Sequence, residues 1–378
     1  PKPQTPNPKP QTPNPLLVNN PKMNKYRSSL LSILHPLFTQ SPTPPSPSLL
    51  SSFLSSNPDY LHTQSIQSTG DVDGYLDRYI NVCKGVRNYV IDKMSGDKEM
   101  MDMVSDTDSF LMDMWSLYYP VFRYVKRDPG LQAIKGCKII GVLGCQGSGK
   151  TRLSKVLAAC LQSQGHKVVY FSSDDFYLSY ADRLALKEKH PFLQFRGPPG
   201  THDFELLKKT IASIKNGEDA QIPVFDKSLH SGQGDRSNYI PVPSSVPVDY
   251  CIFEGWFNGL LPLPTSEIGE SQLSKFSNES LSKYGDWSGF IDRLIVIRPD
   301  TFQNAYTWRL QAEHNMRKAG KVGGMSDEQI KSFVDYFMES INPDKYYSHL
   351  IKSNPSYLGL LIDINSSREV TNMQKFSK

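Results

Sequence analysis

The residues able to do chemistry begin at Gly144. Gly144-Cys145-Gln146-Gly147-Ser148-Gly149-Lys150-Thr151 satisfies every fixed position of G-x-x-x-x-G-K-[ST]. The glycines let the backbone curl until successive N–H groups point inward at an anion, and the helix that follows adds the favourable end of its dipole. Lys150 would reach the β- and γ-phosphates, and the Thr151 hydroxyl would ligate Mg²⁺. The stretch Gly144 to Thr151 is therefore expected to hold a nucleoside triphosphate. Cys145 reads as a small loop residue exposing its backbone N–H. A redox role would need an exposed thiol of lowered pKa.

Carboxylates occur where such a site needs them. Ser172-Ser173-Asp174-Asp175 follows a short apolar run. A carboxylate there could take the proton from an acceptor hydroxyl as the γ-phosphoryl group leaves ATP. Neighbours on an extended segment point to opposite faces. One of the pair would face the acceptor, and the other would bind Mg²⁺ through water or cap the next helix. Val248 to Gly255 is a second apolar run, ending in Glu254, an acid placed to hold Mg²⁺ or its water.

Two loops dense in glycine and charge come next. Arg196 to Asp203 includes His202, and Asp226 to Arg236 includes Lys227. Such loops on a rigid scaffold often bind ligands, although solvated surface loops share their composition. Arg196, Lys227 and Arg236 together would suit an anionic acceptor, since guanidinium groups grip carboxylates bidentately. His202, Asp203 and Asp226 complete the candidate acceptor site. Farther on, Arg309, Glu313 and Arg317 recur at steps of four in an amphipathic pattern over Thr301–Ala319. They form either a self-stabilised solvated face or a lid carrying arginines to the transferring phosphoryl group, hinged at Gly320, Gly323 and Gly324. Arg368 follows a last apolar run and is expected near the nucleotide base.

These residues require strands that end beneath them. Lys138–Leu143, Lys167–Phe171, Gln221–Phe225, Val248–Gly255, Leu294–Ile297 and Leu358–Ile364 have strand character, and Arg152–Gln164, Leu206–Ile214 and Thr301–Ala319 have helical spacing. Alternation of this kind predicts an α/β fold with a mostly parallel sheet, whose ligands collect at the C-terminal ends of the strands. Residues 59–135 read as a helical extension with aromatic core stripes, the second cluster ending at Pro120. Residues 265–283, polar and serine-rich, read as an insertion. The kinase-like region spans 136–378, with its lid around 301–325.

The 378 residues carry a net charge of +4, too mild to argue for nucleic acid. No apolar run is long enough to span a membrane. The five cysteines are scattered without zinc or disulfide spacing, which suits a reducing compartment. Residues 1–58 open on a tandem Pro-Lys-Pro-Gln-Thr-Pro-Asn repeat and contain no acid before Asp59. They are expected to be a disordered tail. From Met23 the segment is basic, hydroxylated and amphipathic, the composition of an organelle transit peptide. A plain tail is the alternative.

Taken together, GCQGSGKT, SSDDFY, RGPPGTHD, FDKSLHSGQGDR, FEGWFNGL and WRLQAEHNMR followed by GMSDEQI resemble the eukaryotic D-glycerate 3-kinases, the plant-type enzymes and their fungal relatives. The resemblance covers about residues 110–365. It implies a three-layer P-loop fold of the phosphoribulokinase and uridine kinase type, and transfer from ATP to D-glycerate with Mg²⁺. It also implies that Asp174 is the base, that Glu254 supports the metal, and that the WRLQAE helix is a lid carrying Arg309 and Arg317. A monomer acting on a small anionic acceptor is expected, in the chloroplast, or in the cytoplasm if the N-terminal segment is only a tail. Uridine, pantothenate or a sugar phosphate are alternative acceptors. A nucleotide switch without phosphotransfer is the alternative class, although no Asn-Lys-x-Asp signature follows the loop.

Overall fold

Apolar runs form the central strands, and more polar segments form an edge strand and a ribbon strand. In the computed structural model, which describes residues 21–39, 72–284, 289–318 and 325–376, they are β1 (Lys138–Gly144), β2 (Val168–Ser172), β3 (Ala220–Asp226), β4 (Asp235–Val242), β5 (Tyr250–Gly255), β6 (Arg293–Pro299), β7 (Leu358–Ile364) and β8 (Val370–Lys375). Six make one sheet in the order β2-β5-β1-β6-β7-β8. Its pairings are parallel except that β8 runs antiparallel to β7. β5 is buried throughout and β1 in all but its first residue, as a parallel strand covered on both faces must be. Strands β3 and β4 pair antiparallel in a separate ribbon.

The strand order positions the chemistry. β5 lies between β1 and β2, with Val142 and Ser172 both in register with Glu254. The phosphate loop after β1, the acidic pair after β2 and the carboxylate ending β5 therefore emerge side by side at one edge, where ligands of open α/β sheets bind.

The chain divides into two compact units, Pro1–Asp73 and Gly74–Lys378. In the first, the described residues form one helix, α1 (Pro21–Thr39). This helix lies within residues 1–58, the stretch expected to be a disordered tail. Leu30, Leu31, Ile33, Leu34, Leu37 and Phe38 recur at helical steps, and that spacing outweighs the low-complexity composition around it. The rest of residues 1–58 lies outside the described residues.

A helical layer opens the second unit: α2 (Val72–Lys93), α3 (Lys98–Ser105), α4 (Thr107–Asp113), a π-helical turn (Met114–Tyr118), α5 (Tyr119–Arg127) and α6 (Pro129–Ala133). Its core is aromatic. Tyr75 and Tyr79 meet Trp115 and Tyr119 edge to face, with centroids 5.1 to 6.1 Å apart. Pro120 does not end the pattern. It occupies the first turn of α5, where a missing N–H costs least, and the π turn absorbs the change of register before it.

The remaining helices are α7 (Lys150–Ser163), α8 (Tyr180–Lys189), α9 (Phe204–Asn216), α10 (Gln272–Lys283), α11 (Asn304–Lys318), α12 (Asp327–Ser340) and α13 (Pro343–Ser353). The helical layer is pinned to α7 by ion pairs, Lys155 Nζ to Asp97 at 2.7 Å and Arg152 to Asp113 at 3.6 Å. Most of the serine-rich stretch read as an insertion is helical, forming α10. Asn278 is buried because its amide bonds both the N–H and the C=O of Leu263, and Ser274 Oγ donates to Glu339 O. Satisfied polar side chains can replace apolar ones in such a helix.

Candidate active site

The phosphate loop turns on two glycines in the left-handed region, Gly147 (φ 77°) and Gly149 (φ 90°). A Cβ on Gly147 would lie 2.5 Å from Trp308 Cβ, so α11 packs directly against the loop backbone. Trp308 Nε1 donates to Ser366 O at 2.8 Å, and Arg368 Nε donates to Gly147 O at 2.6 Å with its guanidinium 4.9 Å from the Trp308 ring centroid. The turn between β7 and β8 thus braces the loop through Arg368. Gln146 Oε1 and Ser148 Oγ are buried without hydrogen-bond partners. Cys145 is 6% exposed, and burial pushes its thiol up to about 12. That is the inert small residue, not the exposed low-pKa thiol a redox switch requires.

Lys150 and Thr151 begin α7 and face Glu254. Thr151 Oγ1 donates to Glu254 Oε1 at 2.9 Å, and Lys150 Nζ stands 4.0 Å from Oε2. Glu254 is buried, and Oε2 has no hydrogen-bond partner. A threonine hydroxyl beside a carboxylate with one oxygen unused is a donor set that fits Mg²⁺, which binds through one or two protein oxygens plus phosphates and water.

Ser172 opens a 3₁₀ turn that separates the two acids. Its Oγ accepts from Asp174 N–H, and its own N–H donates to Asp175 Oδ2 at 3.0 Å, a capping box that turns Asp175 into the backbone. Burial raises the Asp175 carboxyl. Asp174 points the other way. Lys227 Nζ lies 2.7 Å from its Oδ2, and Tyr177 Oη donates to its Oδ1 at 3.0 Å. Burial would raise Asp174, but the Lys227 ammonium, with Lys150 and His202 beyond it, outweighs burial and holds the carboxyl down at about 2.

His202 bridges to Tyr177 across the start of the loop, and the rings lie 4.3 Å apart. Phe257 closes over it at 5.1 Å. Neither ring nitrogen has a hydrogen-bond partner, and burial lowers the imidazole to about 4, so it is neutral at physiological pH.

Other candidate acceptor residues serve the loops themselves. Arg236 Nη2 bonds Asp203 at 2.8 Å and its Nε bonds Tyr177 O, while Asp203 also caps α9. Asp226 accepts from Ser228 N–H and Oγ–H. Arg196 Nη1 donates to Gly232 O and Gln233 O. The structure thus gathers Asp174, Lys227 and His202 at the end of β2, with Arg236, Asp203 and Asp226 behind them as braces. Tyr177 and Arg183, absent from the sequence-based candidates, stand in the same cluster. Their signal was faint: Tyr177 follows Asp174 by one helical turn, and Arg183 lies on an exposed helix.

On α11, Arg309 is hydrogen-bonded to the buried Glu313 and covers the Phe333 ring at 5.7 Å. Arg317 bonds Met325 O and Asp327 at the exposed end of the helix. Neither guanidinium touches Asp174 or the phosphate loop among the described residues. Gly320, Gly323 and Gly324 lie outside the described residues.

A glycine loop braced by α11, with carboxylates ending the two strands beside it, is an arrangement that known proteins share. D-glycerate 3-kinase from Cryptococcus neoformans var. grubii is 30% identical, with a TM-score of 0.62, over 69% of this chain and 99% of that one. The chain belongs to the eukaryotic D-glycerate 3-kinase family. This is a family of ATP-dependent P-loop kinases. An uncharacterised kinase of Schizosaccharomyces pombe is 34% identical over 248 residues, 60% of this chain and 88% of that protein. The chloroplastic D-glycerate 3-kinase of Arabidopsis thaliana is 33% identical over 243 residues, 61% of this chain but only 53% of the plant enzyme's length. No family model matches the chain. Within the D-glycerate 3-kinase fold, the geometry can cradle a triphosphate against Lys150 and present an ionised carboxylate, Asp174, to a hydroxyl group beside it.

Proposed function

We propose that the protein transfers the γ-phosphoryl group of ATP to a hydroxyl of D-glycerate, giving 3-phosphoglycerate. The observation that carries this reading is Asp174, an ionised carboxylate with one strand between it and the phosphate loop, paired with a lysine from a loop rich in cationic groups. The glycerate kinases of Cryptococcus and Arabidopsis support the choice of acceptor.

In this mechanism Gly144 to Thr151 wrap the phosphates, and Lys150 neutralises charge on the β- and γ-groups. Thr151 and Glu254 would hold Mg²⁺, which supplies charge neutralisation on the phosphates when bound. Asp174 orients the acceptor hydroxyl. A carboxylate held near 2 is too weak a base to strip an alcohol in advance, so it takes the proton late, as the loose transition state forms the new P–O bond. Lys227 and His202 line the acceptor side, and Arg196 adds positive charge. Arg309 and Arg317 would reach the phosphoryl group only after their side chains leave Glu313 and Asp327. Arg368, on the loop carbonyl of Gly147, would flank the nucleotide base.

The test is ADP release by purified protein with ATP, Mg²⁺ and D-glycerate. Turnover above the ATPase background is expected, and its absence overturns the acceptor. A panel containing uridine, pantothenate and sugar phosphates then identifies the replacement. We place the enzyme in the chloroplast, on the acid-free segment from Met23 and the chloroplastic relative. Sequencing the N-terminus of the native mature protein tests this. An uncleaved segment would favour the cytoplasm.

A further inference from the structure

The Asp226–Asp235 loop brings two guanidinium groups together. Arg196 Nη1 and Arg183 Nη2 both donate to the same oxygen, Gln233 O, at 2.8 and 3.0 Å. Arg196 also bonds Gly232 O and Arg183 also bonds Gly234 O. The two share the Phe225 ring, with their Cζ atoms 5.4 and 5.2 Å from its centroid. Neither makes an ion pair among the described residues. Asp235, whose charge acts on Arg183, is already hydrogen-bonded to Tyr180 N–H, Arg236 N–H and His230. Burial and the Arg196 charge both depress Arg183 from its ordinary value. Two adjacent cations that make no direct ion pair repel each other, and an anion bound between them would remove that cost.

The chain holds this pair in place at some expense. His230 and Ser231 adopt φ of 50° and 56°, uncommon for residues with side chains, and Gly232 and Gly234 follow at 91° and 73°. This backbone aims the carbonyls of residues 232–234 at the arginines. His230 stacks on Tyr180, one turn before Arg183, with ring centroids 3.9 Å apart. Helix α8 itself has no buried residue, so Arg183 is positioned by these loop contacts and not by core packing.

Distance links the pair to the reacting end. Tyr177 bonds Asp174 with its hydroxyl and carries Arg196 over its ring, Cζ 5.7 Å from the centroid. One tyrosine side chain therefore separates the carboxylate from the Arg196 guanidinium, and Arg183 joins Arg196 at Gln233 O, the scale of a short hydroxy acid held by its hydroxyl at one end and its carboxylate at the other. We propose that Arg183, paired with Arg196, binds the carboxylate of the acceptor and sets the preference for acidic over neutral acceptors. This rests on the reading of the protein as a hydroxy-acid kinase. Arg183 takes the part that sequence spacing suggests for Arg236, whose guanidinium is committed to Asp203.

The test compares wild type, Arg183→Met and Arg183→Lys as full chains, with D-glycerate, its uncharged amide D-glyceramide, and ATP as varied substrates. Arg183→Met should raise the KM for D-glycerate about 10- to 100-fold, as loss of a charged hydrogen bond does. The KM for ATP and kcat/KM for D-glyceramide should stay within about twofold, and Arg183→Lys should recover part of the loss. An unchanged KM for D-glycerate overturns the inference. A parallel loss on glyceramide also overturns it, because Arg183 would then only hold the loop. If wild type phosphorylates a different acid in the acceptor panel, the glycerate reading fails, and the same variants tested on that acid against its amide decide the inference. If wild type takes only neutral acceptors, both fail.

Discussion

Lys227 Nζ lies 2.7 Å from Asp174 Oδ2, a pair made between the loop after β3 and the turn after β2. The lysine side chain is 60% exposed and the aspartate 30%, so the pair sits at the mouth of the site and not in the core. An exposed pair adds little to stability. Its consequence is chemical, because it keeps Asp174 ionised and positions it towards the acceptor loops.

Asp174→Asn should therefore abolish phosphoryl transfer while leaving ATP affinity within about twofold, since the amide fills the same space but takes no proton. Steady-state turnover and nucleotide titration separate the two effects. Should Asp175→Asn prove inactive and Asp174→Asn active, the capping carboxylate would be the functional one.

The same pair has a pH signature. Asp174 is depressed from 3.8 to about 2, so its ionised form persists well below the ordinary carboxylate range, and the associated stability is present above 3.8 and lost as pH falls towards 2. Replacing Lys227 by Met removes the largest lowering influence and leaves burial opposed only by the more distant Lys150 and His202. The acid limb of kcat/KM should move to higher pH in Lys227→Met. A limb that stays put would mean that Lys227 does not tune Asp174.

How much of this could be read from sequence follows from how local each feature is. The β1–loop–α7 unit is contiguous, and its glycines, lysine and flanking apolar residues carry their meaning in order. The strand ends were also legible, because Glu254 closes an apolar run and Asp174 follows one. The partner of each charged loop residue was not. Whether Arg236 meets an acceptor or Asp203 depends on two segments 33 residues apart, and the coupling of Arg183 to Arg196 depends on carbonyls of a third loop. The burial of serine-rich α10 was hidden for the same reason, since Asn278 is satisfied by Leu263 and Tyr346 from distant parts of the chain.

Gly147→Ala and Gly149→Ala should differ. Both residues have positive φ, so each alanine costs roughly 1 kcal/mol of backbone strain. At Gly149 nothing lies within 4 Å of the added methyl, whereas at Gly147 it meets Trp308 at 2.5 Å. Gly147→Ala must push α11 from the loop, and a further loss of about 1–3 kcal/mol is expected, as for overpacking in a core. Thermal melts should rank Gly147→Ala below Gly149→Ala, with a matching rise in KM for ATP. Equal melting temperatures would mean that the loop does not lean on Trp308.

All five cysteines are buried free thiols, and Cys145 inside the phosphate loop is pushed up to about 12. Alkylation by iodoacetamide requires the thiolate. The native kinase should keep its activity through prolonged treatment at mildly alkaline pH, and Cys145→Ser should respond identically. Rapid inactivation that Cys145→Ser prevents would show a reactive thiol there and reopen redox control.

His202 predicts a stability effect of opposite origin to that of Asp174. Burial lowers its imidazole from 6.5 to about 4, so between those values the unfolded chain binds a proton that the folded chain refuses. Stability contributed by the neutral ring is then complete above 6.5 and falls as pH drops towards 4, because the unfolded state gains protons in that window. His202→Gln cannot titrate and should lose less melting temperature than wild type on acidification across the window, even if it starts lower at neutral pH. Its KM for the acceptor should rise while its KM for ATP does not, because the ring faces Tyr177 and Asp174 and not the phosphate loop. Parallel melting curves for wild type and variant across the window would mean that the imidazole is hydrated in solution and titrates normally.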